Sequence, residues 1–214
     1  LRGHRRGRRR EVQSALRPRA GRALARQRFI MASKIQLISN ALILIGDLPI
    51  TTLVGNSRAQ TVANNLYDNI VQNELTKYRW GFAKKKAQLD LTTETPVGTE
   101  WQSIYQLPAD LLFLIKINPQ VNYTIYGDKL YSNSTGAIYA DYIYNAPESA
   151  WPVYFSKMIE YRLAMDFAPS IRDSAASMEA NASQYVNASR MARFTDSQQY
   201  PITPSTDRPF IDER

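Results

Sequence analysis

The sequence contains no cysteine at all. That removes disulfides, thiolate nucleophiles and every cysteine-based zinc or iron–sulfur site. It holds a single histidine, His4, embedded among arginines near the start. A histidine–carboxylate metal cluster or a Ser-His-Asp triad therefore cannot be built in the remainder of the chain. Nine dispersed glycines include no phosphate-binding GxxxxGK[ST] loop, and calcium-loop spacing is absent too. No apolar run approaches the length of a membrane span; the longest, in residues 33–45, suits a buried helix. These absences leave carboxylate pairs as the main remaining route to catalysis. The acids considered are Asp90 with Glu94, Asp110, Asp141, Glu160 with Asp166, and Asp207 with Asp212. None stands in a pattern that holds two acids across a scissile bond. The expectation is a protein without catalytic, metal-binding or cofactor-binding residues.

What is present is dominated by charge of one sign at one end. The 214 residues carry a net charge of +8, but residues 1–30 hold eleven arginines, no lysine and one acid, Glu11. The other 184 residues have sixteen basic and eighteen acidic side chains, so the body is nearly neutral. The basic character belongs to the leader and says little about the body's partners. Three readings of the leader stay open: sequence upstream of a start at Met31, a DNA-touching arm, or a targeting peptide. In the second, Arg5, Arg6, Arg8, Arg9 and Arg10 would contact phosphate by releasing counterions. The third has Arg-rich, acid-poor composition but little serine and no apolar core.

The body reads as helix, helix, strands, helix, helix. Ser33 is a plausible N-cap for a helix to Ile45, with Ile35, Ile38, Leu42 and Ile45 on one face and Leu37, Ala41 and Leu44 widening it. A linker over 47–56 precedes a long amphipathic helix, about 57–78, whose apolar positions are Val62, Ala63, Leu66, Tyr67, Ile70, Val71 and Leu75. From Trp80 and Phe82 the period turns from helical to alternating, and Lys84, Lys85 and Lys86 lead into a strand. These three lysines have two readings. They are a solvated strand edge that discourages stray pairing, or cations that face DNA. The stretch LLFLIKI (111–117) fits a strand or a buried helix, and a strand after a Pro108-Ala109-Asp110 turn is the reading adopted. Residues 121–144 predict a small antiparallel sheet with a turn at Gly127-Asp128-Lys129. Six of the thirteen tyrosines fall there, read as cross-strand packing or as a stacking platform. Pro152 opens a helix carrying Tyr154, Phe155, Met158, Ile159, Leu163 and Phe167, which Pro169 is expected to end. An Ala-rich helix over 173–194 follows, with Ala176, Ala180, Tyr185, Ala188, Met191 and Ala192 as its contact positions.

The fold class this predicts is α+β: a helical bundle from the N- and C-terminal helices with a small inserted antiparallel sheet. The parts are a leader (1–30), a helical part (31–80), an antiparallel β part (81–146), a helical part packing on the first (147–195) and an extended docking tail (196–214). In that tail Pro201, Pro204 and Pro209 forbid a continuous helix. Its Tyr200, Ile202, Phe210 and Ile211 are apolar enough to anchor on a partner.

Four segments also carry a resemblance. They are ISNALILIGDLPITTL (38–53), ANNLYDNIVQNELTKYRWGFAKKKAQLDL (63–91), YQLPADLLFLIKI (105–117) and IYNAPESAWPVYFSKMIEYRLAMDFA (143–168). With the Ala-rich last helix, and with Trp80-Gly81-Phe82-Ala83 matching a recurrent Trp-x-Phe-Ala segment, they resemble the tail tubular protein A family. Those proteins are the head-to-tail adaptors, or connectors, of short-tailed bacteriophages. The resemblance implies a virion protein at the head–tail junction, assembled in the host cytoplasm as a homo-oligomeric ring of twelve subunits. Its implied partners are the portal protein, the tail nozzle protein, and DNA that passes through the channel unread; no membrane is involved. Two other functions are weighed against it: a nucleic-acid-binding protein acting through the arginine arm, and a cell-wall hydrolase.

Overall fold

A computed structural model describes residues 33–98 and 100–199. The arginines of the leader and Tyr200, Ile202, Phe210 and Ile211 lie outside the described residues. The fold is α+β, with four α-helices and seven antiparallel strands among the described residues.

Helix α1 (Lys34–Leu44) starts where Ser33 accepts a hydrogen bond from the Gln36 N–H. Its buried face is Leu37, Ile38, Ala41 and Leu42, while Ile43 and Leu44 are exposed. The expected stripe was thus rotated: Leu44 faces out and Ile35 is only half-buried. Helix α2 (Arg58–Thr76) opens with a reciprocal capping box between Ser57 and Gln60. The same Gln60 carboxamide donates to the carbonyls of Thr52 and Val54, and Asn64 donates to that of Leu53. These bonds hold the 47–56 loop against the helix. Gly55 is needed there, since its φ is +149° and an added Cβ would lie 2.3 Å from Gln60 Oε1. Ala63, Tyr67, Ile70, Val71 and Leu75 are buried as the periodicity predicts, but Leu66 is only half-buried.

Between α2 and the first strand the chain makes a 3-10 turn at Gly81–Ala83 and not the start of a strand. The aromatic rings explain why. Trp80 is buried edge-on against Phe155, 5.0 Å between centroids, and Phe82 packs on the same ring at 4.8 Å. Alternation would send these two rings together to one sheet face; the turn instead wraps both around Phe155.

The strands are β1 (Lys84–Gln88), β2 (Asp90–Leu91), β3 (Ser103–Gln106), β4 (Leu111–Asn118), β5 (Tyr123–Tyr126), β6 (Lys129–Ser132) and β7 (Tyr139–Tyr144). The single sheet expected is in fact two. One has the order β1-β7-β4 and the other β2-β3-β6-β5. β5 and β6 form the predicted hairpin, with Gly127 at φ +62° in a two-residue loop. β7 then leaves β6 and inserts between β1 and β4.

The β1-β7-β4 sheet is the wall between two cores. Pairing puts Ile143 and Asp141 of β7 on one face, opposite Lys84 and Lys86 of β1. The other face carries Ala140 and Tyr142, opposite Ala87 and Lys85. Ile143 joins the helical core, whereas Ala140 and Tyr142 join a second cluster between the sheets with Leu89, Tyr105, Leu107, Ile117, Leu130 and Ile138. In β4 the register shifts between Leu111 and Phe113 and again between Leu114 and Lys116. These two bulges send Leu111, Leu114 and Ile117 to the inter-sheet cluster, and Leu112 and Ile115 to the helical one. A spacing of three in a strand is the result, which is why LLFLIKI resisted a choice between strand and helix.

Helix α3 (Val153–Arg172) packs against all three other helices. It does not end at Pro169. The exposed proline forgoes one backbone hydrogen bond, at a cost of about 3 kcal/mol in a helix interior. Burial of Phe167 and Ala168 beside it, and the dock with α4, keep the helix going to Arg172. The stop is Asp173, left-handed at φ +51°, so it belongs to the joint and not to the next helix. Helix α4 (Ala175–Ser197) starts at the Ser174 cap. Its buried line is Asn181, Ser189, Ala192 and Asp196, with Tyr185 and Ala188 packed against the core as expected, while Ala176, Ala180 and Met191 are exposed. The helix also runs past 195. Asp196 is therefore no part of an extended tail but a wholly buried residue of the last helical turn.

Candidate functional site

The helices cover only part of the β1-β7-β4 wall. Beyond Ile143, β7 presents Asp141 on the same face, flanked by Lys86 of β1 and Lys116 of β4. Both lysines reach toward this carboxylate, Nζ at 3.5 and 3.4 Å. Their side chains stay about 60% exposed, against 20% for Asp141. Lys84 borders the same open cleft, and Arg79 approaches it from the end of α2. Lys85 borders it too, but its ammonium is held elsewhere. It donates to Asp110 at 2.6 Å and lies over the Tyr144 ring, 4.1 Å from the centroid. The lysine triplet therefore divides. Lys84 and Lys86 share a basic cleft, and Lys85 is a packing residue.

Arg79, Lys116 and Asp141 complete this cleft and were not singled out together from sequence. Lys116 was visible as the one charge inside an apolar strand. Its meeting with the triplet depends on β7 lying between β1 and β4, which spacing alone does not reveal.

The Lys85 side of the sheet has its own chemistry. The Tyr142 hydroxyl donates to Asp110 at 2.9 Å. The Lys85 hydrogen bond first, and that of Tyr142 after it, hold the Asp110 carboxyl below the usual carboxylate range. Burial, and then the bond to Asp110, push the Tyr142 phenol up to about 12. A depressed carboxyl favours the fold above its unfolded pKa, and this contribution fades as pH falls through the folded value. In a carboxyl-carbon NMR titration, Asp110 is expected to have a midpoint below 3.8. Lys85→Gln is expected to move the midpoint upward. An unchanged midpoint would show that Lys85 does not set it.

Three of the other acids have structural partners. Glu94 pairs with Lys129 at 2.6 Å. Glu160 accepts from Asn40 of α1 and pairs with Lys157, which ties α1 to α3. Asp166 pairs with Arg162. Asp90 sits on the exposed two-residue strand β2, and Asp207 and Asp212 lie outside the described residues. Among the described residues no three acids or histidines gather so as to hold a metal ion, and no helix is long and apolar enough to cross a membrane.

Two buried acids went unnoticed in the sequence. Glu74 sits on the apolar stripe of α2, only 1% exposed, where it meets Lys77 at 2.6 Å and Arg162 Nε at 3.2 Å. It also accepts from the Tyr185 hydroxyl at 2.8 Å, so one carboxylate joins α2, α3 and α4. Asp196 accepts from the Gly81 N–H and from the Tyr154 hydroxyl at 2.8 Å, which pins the end of α4 to the 3-10 turn. For Glu74 the spacing to Ile70, Val71 and Leu75 was a usable signal.

The tyrosines do not make one platform. Tyr142 is buried between the sheets, Tyr126 stacks edge-on with Tyr131 at 5.1 Å on the hairpin, and Tyr139 and Tyr144 belong to the other sheet. Cross-strand packing accounts for Tyr142 and the Tyr126–Tyr131 pair, while Tyr123 and Tyr139 are exposed on β5 and β7.

No protein-family model matches the chain, and no curated protein matches it.

Proposed function

We propose that this chain is a structural virion protein: a ring-forming adaptor that joins the capsid portal to the tail nozzle and encloses the DNA channel, without enzymatic turnover. The observation that carries this reading is where the resembling segments meet. Residues of 38–53, 63–91 and 143–168 all contribute to the same buried helical core, and Trp80 of the Trp-x-Phe-Ala turn lies within it.

Surface features agree with a subunit built for assembly. Leu48 and Val54 are more than 80% exposed on a loop whose backbone is fixed to α1 and α2 by side-chain hydrogen bonds. Apolar side chains displayed on a held loop suit contact with a neighbouring subunit. The carboxylates tied up in ion pairs speak against the hydrolase reading.

Mass photometry of the full chain, alone and mixed with the portal protein of the same phage, tests the proposal. The expected result is a ring of about twelve subunits, or assembly that appears only with the portal, in a closed cyclic arrangement. A monomer that ignores the portal yet binds DNA strongly would favour the nucleic-acid-binding alternative through the arginine arm.

A further inference from the structure

We propose that the open part of the β1-β7-β4 face is a seat for the phosphodiester backbone of DNA, gripped through Arg79, Lys84, Lys86 and Lys116 without reading sequence. The inference deepens the adaptor reading and rests on it for DNA being the polyanion encountered.

Edge protection explains lysines on β1, which is an edge strand. It accounts for Lys116 too, since β4 is the other edge strand, but not for Arg79, which comes to the same cleft from just beyond α2. Outside the leader the chain is almost neutral, yet four of its fourteen described cationic side chains line this one cleft of about 540 Å³, with Lys85 at its border and its ammonium bound to Asp110. The acid among them, Asp141, is shared between Lys86 and Lys116 at distances beyond those of a tight ion pair. Both ammonium groups stand in water, so they can turn to a phosphate oxygen while Asp141 stays in place with the Asn118 amide donating to it at 3.4 Å. The seat lacks the bidentate amides and paired guanidinium groups that read base edges, so its chemistry is that of backbone contact.

The test is a lysine acetylation footprint of the full chain, read by mass spectrometry, with and without a mixed-sequence DNA duplex at low salt. Lys84, Lys86 and Lys116 are expected to lose reactivity by roughly threefold or more, with Lys34, Lys129 and Lys157 unchanged. The double variant K86E/K116E is expected to weaken DNA binding by roughly tenfold and to make the slope of log K against log salt shallower by about two. K86Q/K116Q, which keeps both stems, is expected to shift the slope by a similar amount and guards against a folding defect. Tripolyphosphate at equal phosphate concentration is expected to protect weakly. Equal protection by it would overturn a backbone seat in favour of a small anion. DNA bound without protection of these lysines, or an unchanged affinity and salt slope in both variants, would overturn the proposal. Rings that form but show no footprint would sink the seat and leave the adaptor standing. A footprint on a chain that never assembles would do the reverse.

Discussion

A Glu74→Ala protein is expected to lose about 3 kcal/mol of folding stability in denaturant titration. The substitution removes the carboxylate that Lys77, Arg162 and Tyr185 share, and with it a polar contact common to α2, α3 and α4. Breaking a buried ion pair from one side costs roughly 3–5 kcal/mol, since the abandoned partner keeps its desolvation penalty. The low end applies because Arg162 retains Asp166 at 2.7 Å and the Lys77 side chain is 39% exposed. The Lys77 site shows how strong the present contact is. Burial alone would lower its pKa, yet the hydrogen bond and charge of Glu74 hold it above the ordinary lysine value. Removing Arg162 as well is expected to cost less than the two single losses added together, because the stranded cation is then gone. Strict additivity in that double-mutant cycle would show that Glu74 and Arg162 are not coupled.

Asp196→Ala is expected to cost about 3 kcal/mol, seen as a fall of roughly 10 °C in thermal midpoint. The lost carboxylate leaves the Gly81 N–H without the acceptor it now has at 3.0 Å and takes one partner from the Tyr154 hydroxyl. Truncation locates the same boundary independently. A chain ending at Ser197 keeps Asp196 and is expected to melt close to the full-length protein. A chain ending at Thr195 is expected to match Asp196→Ala. If the two truncations melt alike, the end of α4 contributes nothing to the core. In the adaptor reading, the Ser197 truncation would still fold but lose attachment to the portal with Tyr200, Ile202, Phe210 and Ile211.

The helices were legible because their signals are local. Ser33, Ser57 and Pro152 mark the starts, and three-four spacing marks the buried faces. Their ends were misjudged wherever tertiary contact overrode a local rule, as at Pro169, which breaks an isolated helix and is carried here by the packed α3–α4 pair. The two-sheet arrangement was hidden for a related reason. Nothing in residues 133–139 says whether β7 will pair with β6 beside it in sequence or with strands more than twenty residues away. The candidate site inherits that difficulty. Lys84 and Lys86 are apparent in any reading, but Arg79, Lys116 and Asp141 become their neighbours only through long-range pairing. Buried acids are the other blind spot. Glu74 and Asp196 look like solvated residues until their partners, contributed by other helices and by the backbone of the turn, are known.

One strand carries more than its six residues suggest. Because Tyr142 and Ile143 are successive residues of β7 that belong to different cores, a disturbance on either side is felt on the other through a single peptide unit. The bulges of β4 repeat the arrangement, with Leu114 and Ile115 adjacent in chain and opposite in direction. No plane of weakness therefore separates the helical half from the sheet half. Melting either core would expose the apolar back of the wall that supports the other, so the two halves are expected to lose their order together, in one transition by any probe.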